Sequence, residues 1–134
     1  YNSGKRIMSA ENRKISNPRA VSSGLFFTGK AEVSITANTN NLSVPVLDNF
    51  VLIHLTSTGN FSLTGLVPPD ITLGWWMVIY NTGTNNIIFK NNDAGSTAQN
   101  RFLLGSDKTL QADEGIALIY DTDDLRWRSF GINI

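Results

Sequence analysis

The chain has 134 residues, 41% of them hydrophobic and only 16% charged, with 11 basic and 11 acidic side chains and no cysteine. This length suits one domain with one ordinary hydrophobic core. The zero net charge lacks the positive excess that nucleic-acid binding requires, and the absence of cysteine excludes disulfide scaffolds, Cys-based zinc sites and thiol nucleophiles.

Residues 1–24 have few large apolar side chains and no sustained period of 3.6 or 2, which predicts an extended arm or linker before a domain at 25–134. Five Lys and Arg side chains against Glu11 give this arm a charge of +4. It either docks on an acidic surface or is a solvated linker. No apolar run is long enough to cross a bilayer and no secretion-signal pattern is present, so no membrane insertion is expected. The chain begins with Tyr1 rather than Met, which indicates a processed or excised piece of a longer protein.

From residue 25 onward, short apolar runs are separated by Gly, Asn, Asp and Pro, which is typical of an all-β sandwich or barrel. The 15 Asn, 12 Thr and 12 Ser favour turns and strand surfaces over helix interiors. Residues 30–36 alternate apolar and polar side chains, which predicts a half-buried strand. Residues 49–58 are apolar on both faces, which predicts a strand at the centre of a sheet or at a subunit contact.

Pro68 and Pro69 remove two backbone donors and predict a connection between strands. The apolar run after them places Trp75 and Trp76 on opposite sides of a strand, because successive side chains alternate. The turn 81–86 is rich in Gly and Asn, which accept positive φ values. We therefore predict a hairpin between the strand before this turn and the strand after it.

Residues 91–100 are predicted to form a polar loop that has room for a short helical turn near Ser96 to Asn100, followed by a strand around Thr109 and Leu110. Residues 116–128 alternate apolar and polar side chains on each side of the turn DTDD, which predicts a second hairpin. No window of 12 or more residues predicts an amphipathic helix. Together these elements predict an antiparallel, jelly-roll-like β-sandwich or barrel.

Several predicted strands carry two apolar faces, and this is more apolar surface than one small core encloses. Some of these faces are therefore expected to meet another copy of the chain, since burying 1,000 Å² of apolar surface contributes on the order of 25 kcal/mol before association entropy. The side chains expected to divide between the protomer core and subunit contacts are Phe50, Leu52, His54, Trp75, Trp76, Leu118 and Trp127.

Familiar catalytic chemistry has no signature in the sequence. His54 is the single histidine, and no local motif supplies a catalytic triad, a zinc protease site, a phosphate loop or a calcium hand. The acidic residues at 113–114 and 121–124 suit either a hard cation or hairpin turns, and the turn interpretation is preferred. We therefore expect no catalytic residue, no metal site and no cofactor.

Two pairs of side chains are candidates for contacts. An exposed indole at Trp75 or Trp76 would offer a platform for a sugar ring, but the preferred interpretation buries one in the core and the other at a subunit interface. Arg126 and Arg128 are expected to pair with Asp or Glu across a neighbouring strand, or to stack on an aromatic ring.

The C-terminal half contains the runs MVIYNTGTNNIIFK and GIALIYDTDDLRWRSFG. This part, about Gly74 to Gly131, resembles a module that recurs in bacteriophage tail-fibre, head-fibre and appendage (spike) proteins, and its most specific piece is Ala117 to Arg128. The resemblance implies a β-sandwich or barrel-like unit that assembles as a homotrimer on the virion as a stalk, connector or tip. It marks an architecture and supplies no ligand.

The leading hypothesis is a non-enzymatic structural or adhesive module of a phage fibre or spike, located on the virion and supporting host attachment. Residues 1–24 would join it to other virion proteins. Two alternatives remain open. One is a monomeric carbohydrate-binding module that uses Trp75 or Trp76 to bind a host surface glycan, and the other is a fragment of a virion-associated polysaccharide depolymerase, with Asp123 as the residue to test.

Overall fold

The computed structural model describes residues 30–45 and 50–130. Within these residues nine strands form two sheets, and one 3₁₀ turn lies between the fifth and sixth strands. The bounds are β1 (Lys30–Ile35), β2 (Phe50–Ser57), β3 (Phe61–Leu63), β4 (Trp76–Asn81), β5 (Ile87–Phe89), the 3₁₀ turn Ala98–Asn100, β6 (Phe102–Leu103), β7 (Lys108–Leu110), β8 (Gly115–Asp121) and β9 (Arg126–Ser129). The predicted arm 1–24, and the predicted boundary at residue 25, lie outside the described residues.

The larger sheet has six strands in the order β1-β2-β4-β8-β9-β6, and the smaller sheet has three in the order β3-β5-β7. The core lies between the sheets and contains side chains from both, such as Ile53 and Ile79 from the larger sheet and Phe89 from the smaller one. The prediction of an all-β sandwich is therefore confirmed. No described helix is long and apolar enough to span a membrane.

The strand pairing differs from the antiparallel, jelly-roll-like arrangement expected, since four of the seven described strand pairs are parallel. In the larger sheet Lys30, Leu52 and Val78 are in register on β1, β2 and β4. Leu63 of the smaller sheet pairs with Phe89 on β5 and, through an isolated bridge, with Thr39 of the first pass. The chain thus makes three successive passes, and each pass crosses the larger sheet and then the smaller one.

The hairpin predicted around residues 81–86 is also wrong, because the strands before and after this turn lie in different sheets. β4 pairs with β2 and β8, whereas β5 belongs to the other sheet. The side chain of Asn81 is fully buried and links this turn to β7 of the smaller sheet by hydrogen bonds. Its Nδ2 donates to the carbonyls of Asn85 at 2.7 Å and Leu110 at 2.9 Å, and its Oδ1 accepts from the backbone N–H of Gly83 at 3.1 Å.

The hairpin β8–β9 and the short helical turn at Ala98–Asn100 are confirmed. Strand alternation in the hairpin directs Leu118, Tyr120 and Trp127 into the core. The Trp127 ring meets Tyr120 edge-on, with 5.0 Å between the ring centroids, and its Nε1 donates to the Leu66 carbonyl at 2.9 Å. This indole therefore joins the hairpin to the segment after β3.

A buried polar cluster holds the loop 91–101 against the first two passes of the chain. The hydroxyl of Ser96, which is 2% exposed, accepts from the backbone N–H of Asn41 at 2.8 Å and bonds with the Thr64 hydroxyl at 2.6 Å. Asn100 Nδ2 donates to the Asn41 side chain at 2.8 Å. Gly65 lies against this cluster so closely that a Cβ there would be 2.5 Å from the Asn100 carbonyl oxygen. The polar groups satisfy one another, which removes the penalty of burying them.

Candidate functional site

The larger sheet has a second apolar surface on the side turned away from the smaller sheet. We call this surface the outer face. The outer face consists of side chains that lie beside one another on neighbouring strands. Leu52, Val78 and Ala117 form one row across β2, β4 and β8, and Trp76 and Ile119 belong to the next row. The full set of side chains is Leu52, His54, Trp76, Val78, Tyr80, Ala117, Ile119 and Phe130.

Large aromatic side chains are exposed on the outer face. Trp76 is 43% exposed, Tyr80 44% and Phe130 38%. The rings of Trp76 and Phe130 meet edge-on at 5.0 Å between centroids. A contiguous apolar surface of this kind, rimmed by polar residues, marks an interaction site more often than a solvated surface.

A turn at one end of the outer face adds two exposed aliphatic side chains, Ile71 and Leu73. Asp70 orders this turn, because its carboxylate accepts from both the hydroxyl and the backbone N–H of Thr72, at 2.6 and 2.8 Å. These hydrogen bonds hold the pKa of Asp70 below its usual value. The Asp70 carbonyl also accepts from the indole Nε1 of Trp75 at 3.0 Å. The turn therefore presents its aliphatic side chains from a fixed backbone.

Trp75 and Trp76 lie on opposite sides of the sheet. Trp75 is half-buried and packs against the core, while Trp76 belongs to the outer face. Trp76 is thus the indole positioned to meet a partner or a flat ligand.

His54 lies within the outer face and is half-buried between its neighbours on β1 and β4, Glu32 and Tyr80. Glu32 also forms an ion pair with Lys30 on the same strand, and this contact holds the pKa of Glu32 below its usual value. These surroundings are those of a packed surface histidine.

At the other margin of the outer face, carboxylates of the β8–β9 turn form ion pairs with an arginine of β9. Arg128 Nε donates to the Asp121 carboxylate at 2.7 Å, and Arg128 also pairs with Asp124. Arg126 donates to the carbonyls of Asp124 and Leu125 and to the side chain of Asn92. Among the described residues no group of three or more His, Cys, Asp or Glu is arranged to hold a metal ion.

Asp121 makes the stability of this turn dependent on pH. The Arg128 guanidinium, together with the backbone N–H groups of Asp123 and Asp124, holds the pKa of Asp121 below its usual value. Because the pKa is lower in the folded state, ionised Asp121 favours folding, and this contribution is lost as the pH falls below about 4. We expect Asp121→Asn to lower Tm at pH 7 and to have progressively less effect as the pH falls toward 2.5, measured by thermal unfolding.

Asp123→Asn is the matched control, because Asp123 joins this turn through its backbone N–H. The effect of Asp123→Asn on Tm should stay small from pH 7 down to pH 2.5. A Tm difference for Asp121→Asn that is the same at pH 7 and pH 2.5 would contradict the role given to this carboxylate.

In a comparison with known protein families, residues 34–128 match the model of the phage depolymerase C-terminal β-sandwich domain. The chain belongs to this family. No curated protein and no solved structure matches the chain significantly.

The phage depolymerase C-terminal β-sandwich match confirms the phage resemblance at the level of the family, and it indicates a domain of a phage virion-associated protein. It begins near the end of β1 and ends inside β9, so it includes the rest of the first pass and the whole second pass as well as most of the C-terminal half that carries the resemblance.

The structure places the predicted contact residues whose side chains it describes in two environments. Leu118 and Trp127 are fully buried in the protomer core. Leu52 and His54 are half-buried on the outer face. The side chain of Phe50 lies outside the described part of the chain, so its predicted role stays a prediction.

Sequence reasoning missed Phe130, Ile71 and Leu73 as exposed side chains. The available signal for Phe130 was the alternation of β9, which continues beyond Trp127 and directs every second side chain outward. Ile71 and Leu73 lie in a turn, where no periodicity applies, so the sequence contained no comparable signal for them.

Proposed function

We propose that the chain is a non-catalytic structural and adhesive module of a phage fibre or spike, which forms a homotrimer on the virion and supports host attachment. Residues 1–24 connect it to other virion proteins. The observation that carries this proposal is the apolar outer face, which exposes aromatic side chains on the regular part of the larger sheet. Membership of a phage β-sandwich family supports the same conclusion.

The charges at the margins of the outer face suit its contact with other copies of the chain. Lys30 pairs with Glu32 at one margin, and Arg128 pairs with Asp121 and Asp124 at the other. Because these charges are paired within one chain, a second copy can approach without placing unpaired like charges together. The side chains between the margins are mostly apolar, and they gain free energy when another copy excludes water from them.

Assembly is tested by substitution on the outer face. We expect the purified chain to have the mass of three copies by light scattering, and we expect Val78→Arg to have the mass of one. A charge forced into each contact costs about 3 kcal/mol or more, which weakens association more than a hundredfold. Ile88→Arg is the control, since Ile88 is half-buried on the side of β5 that faces away from the core.

Circular dichroism separates loss of assembly from loss of folding in these variants. A folded wild-type chain with the mass of one copy at every concentration would overturn the homotrimer. Equal loss of assembly in Val78→Arg and Ile88→Arg would overturn the outer face as the contact.

The carbohydrate-binding alternative is favoured by one observation, the exposure of the Trp76 and Tyr80 rings. A monomer that binds glycans, and that loses this binding on Trp76→Ala, would establish it in place of the trimer. The family description is closest to the third possibility, that the chain is one part of a phage depolymerase. The structural module proposed above can be one domain of such a depolymerase, because the proposal assigns no cleavage to this domain. Polysaccharide cleavage by the chain that is abolished by Asp123→Asn would overturn it.

A further inference from the structure

The outer face contains the one histidine of the chain, His54. It lies on β2, with β1 and β4 on either side of it, so both of its neighbouring strands are described. Its side chain is half-buried. Imidazole gains a proton in the mildly acidic range, in which carboxylates and ammonium groups ordinarily keep their charge. His54 is therefore the group through which a small fall in pH would place a new charge on the outer face.

The neighbours of His54 on β2 and β4 are apolar or carry a hydroxyl group. Leu52 and Thr56 lie on the same side of β2 as His54, because successive side chains of a strand alternate. Tyr80 is in register with His54 on β4 and brings an aromatic ring. When the outer face of one copy meets another copy, water is excluded from this part of the surface. The side chain of His54 then loses the solvent that would stabilise a charge on it.

The charged neighbours of His54 are on β1. Glu32 is in register with His54, and Lys30 lies two residues before Glu32 on the same side of the strand. These two charges form an ion pair with each other, so they cancel. A proton accepted by His54 thus leaves one positive charge in excess on this part of the outer face.

This excess charge costs more free energy in the assembly than in a free copy. In a free copy, water solvates the imidazolium and the carboxylate of Glu32 attracts it. In the assembly the water is lost, and each of the other copies brings the same excess charge to the contact. Protons therefore bind the free copies more tightly than the assembly. By linkage, a fall in pH shifts the equilibrium toward the free copies.

We infer that His54 makes assembly through the outer face sensitive to pH, so that mild acid releases the copies of the trimer from one another. This inference rests on the homotrimer proposed above and adds the condition that regulates it. The contribution of Asp121 to stability is lost only below about pH 4, because its pKa is lowered. The copies that separate in mild acid are therefore expected to keep this contribution to their fold.

Subunit exchange measures this release, even in a trimer that is too tight to dissociate on dilution. The chain has no cysteine, so Thr84→Cys, at an exposed turn residue, allows one dye to be attached to each copy. Trimers labelled with a donor dye are mixed with trimers labelled with an acceptor dye. We expect energy transfer to appear at least about tenfold faster at pH 5.5 than at pH 7.5. Circular dichroism at both pH values checks that the copies remain folded.

Two substitutions of His54 separate the effect of its charge from the effect of its shape. His54→Gln keeps a polar side chain that gains no proton in this range, so its rate of exchange should be the same at the two pH values. His54→Arg carries a permanent positive charge. Its copies should therefore already exchange rapidly at pH 7.5, at least as fast as the wild-type copies at pH 5.5.

The outcomes distinguish failure of this inference from failure of the homotrimer. A wild-type exchange rate that is equal at the two pH values, or slower at pH 5.5, would overturn the inference and leave the homotrimer unaffected. Acceleration by acid that persists in His54→Gln would also overturn it, because another group would then be responsible. A folded wild-type chain with the mass of one copy at pH 7.5 would overturn the homotrimer and this inference together.

Discussion

Replacing Trp127 by alanine should lower the free energy of unfolding by about 4 kcal/mol, the cost typical of deleting a large buried aromatic side chain. Trp127 is 0% exposed and contacts the Tyr120 ring. The substitution also removes the donor to the Leu66 carbonyl, which leaves that buried acceptor unsatisfied. Chemical denaturation monitored by circular dichroism measures the effect.

Trp127→Phe separates the two contributions. Phenylalanine keeps most of the ring but cannot donate the hydrogen bond, so we expect a loss of about 1–2 kcal/mol. A loss below about 1 kcal/mol for Trp127→Ala would contradict the position of this indole at the centre of the core.

The second large effect is expected at Gly65. In Gly65→Ala the new Cβ would lie 2.5 Å from the Asn100 carbonyl oxygen and 2.7 Å from the Ser96 hydroxyl. The first of these atoms belongs to the backbone, so the loop itself must shift and its buried hydrogen bonds must stretch. We expect a loss of about 2–3 kcal/mol, as found when well-packed interiors are overfilled.

Gly74→Ala is the matched control for this substitution. A Cβ at Gly74 would have one near neighbour, the Tyr120 carbonyl oxygen at 3.7 Å, which is an ordinary contact. Its effect on the free energy of unfolding should stay within about 0.5 kcal/mol. Similar losses at Gly65 and Gly74 would contradict a collision specific to Gly65.

The strands could be predicted from the sequence wherever alternation was strong. The periods of β1, β2, β4 and the hairpin β8–β9 are visible in the residues themselves, because each side chain's neighbour on the chain faces the other way. Pairing could not be predicted in this way, because it depends on partners far apart in sequence. The turn after Asn81 has the composition of a hairpin loop, and the same composition also serves a crossing between two sheets.

Part of the outer face could also be predicted. Alternation placed Trp76, Val78 and Tyr80 on one side of their strand and Met77 and Ile79 on the other. It could not decide which side faces the core, since both are apolar. Contacts with the smaller sheet decide this, because Met77 and Ile79 belong to the core cluster that the two sheets share.

The pass-by-pass stacking of β1, β2 and β4 has a mechanical consequence. Among the described strands of its sheet β1 contacts β2, and β2 separates it from β4. When neighbouring units interact mainly with the next unit, stability becomes a sum of adjacent contacts. A load applied through the chain before Lys30 therefore acts first on one pair of strands. Under tension β1 should therefore separate from β2 first, while the hairpin end keeps its shape.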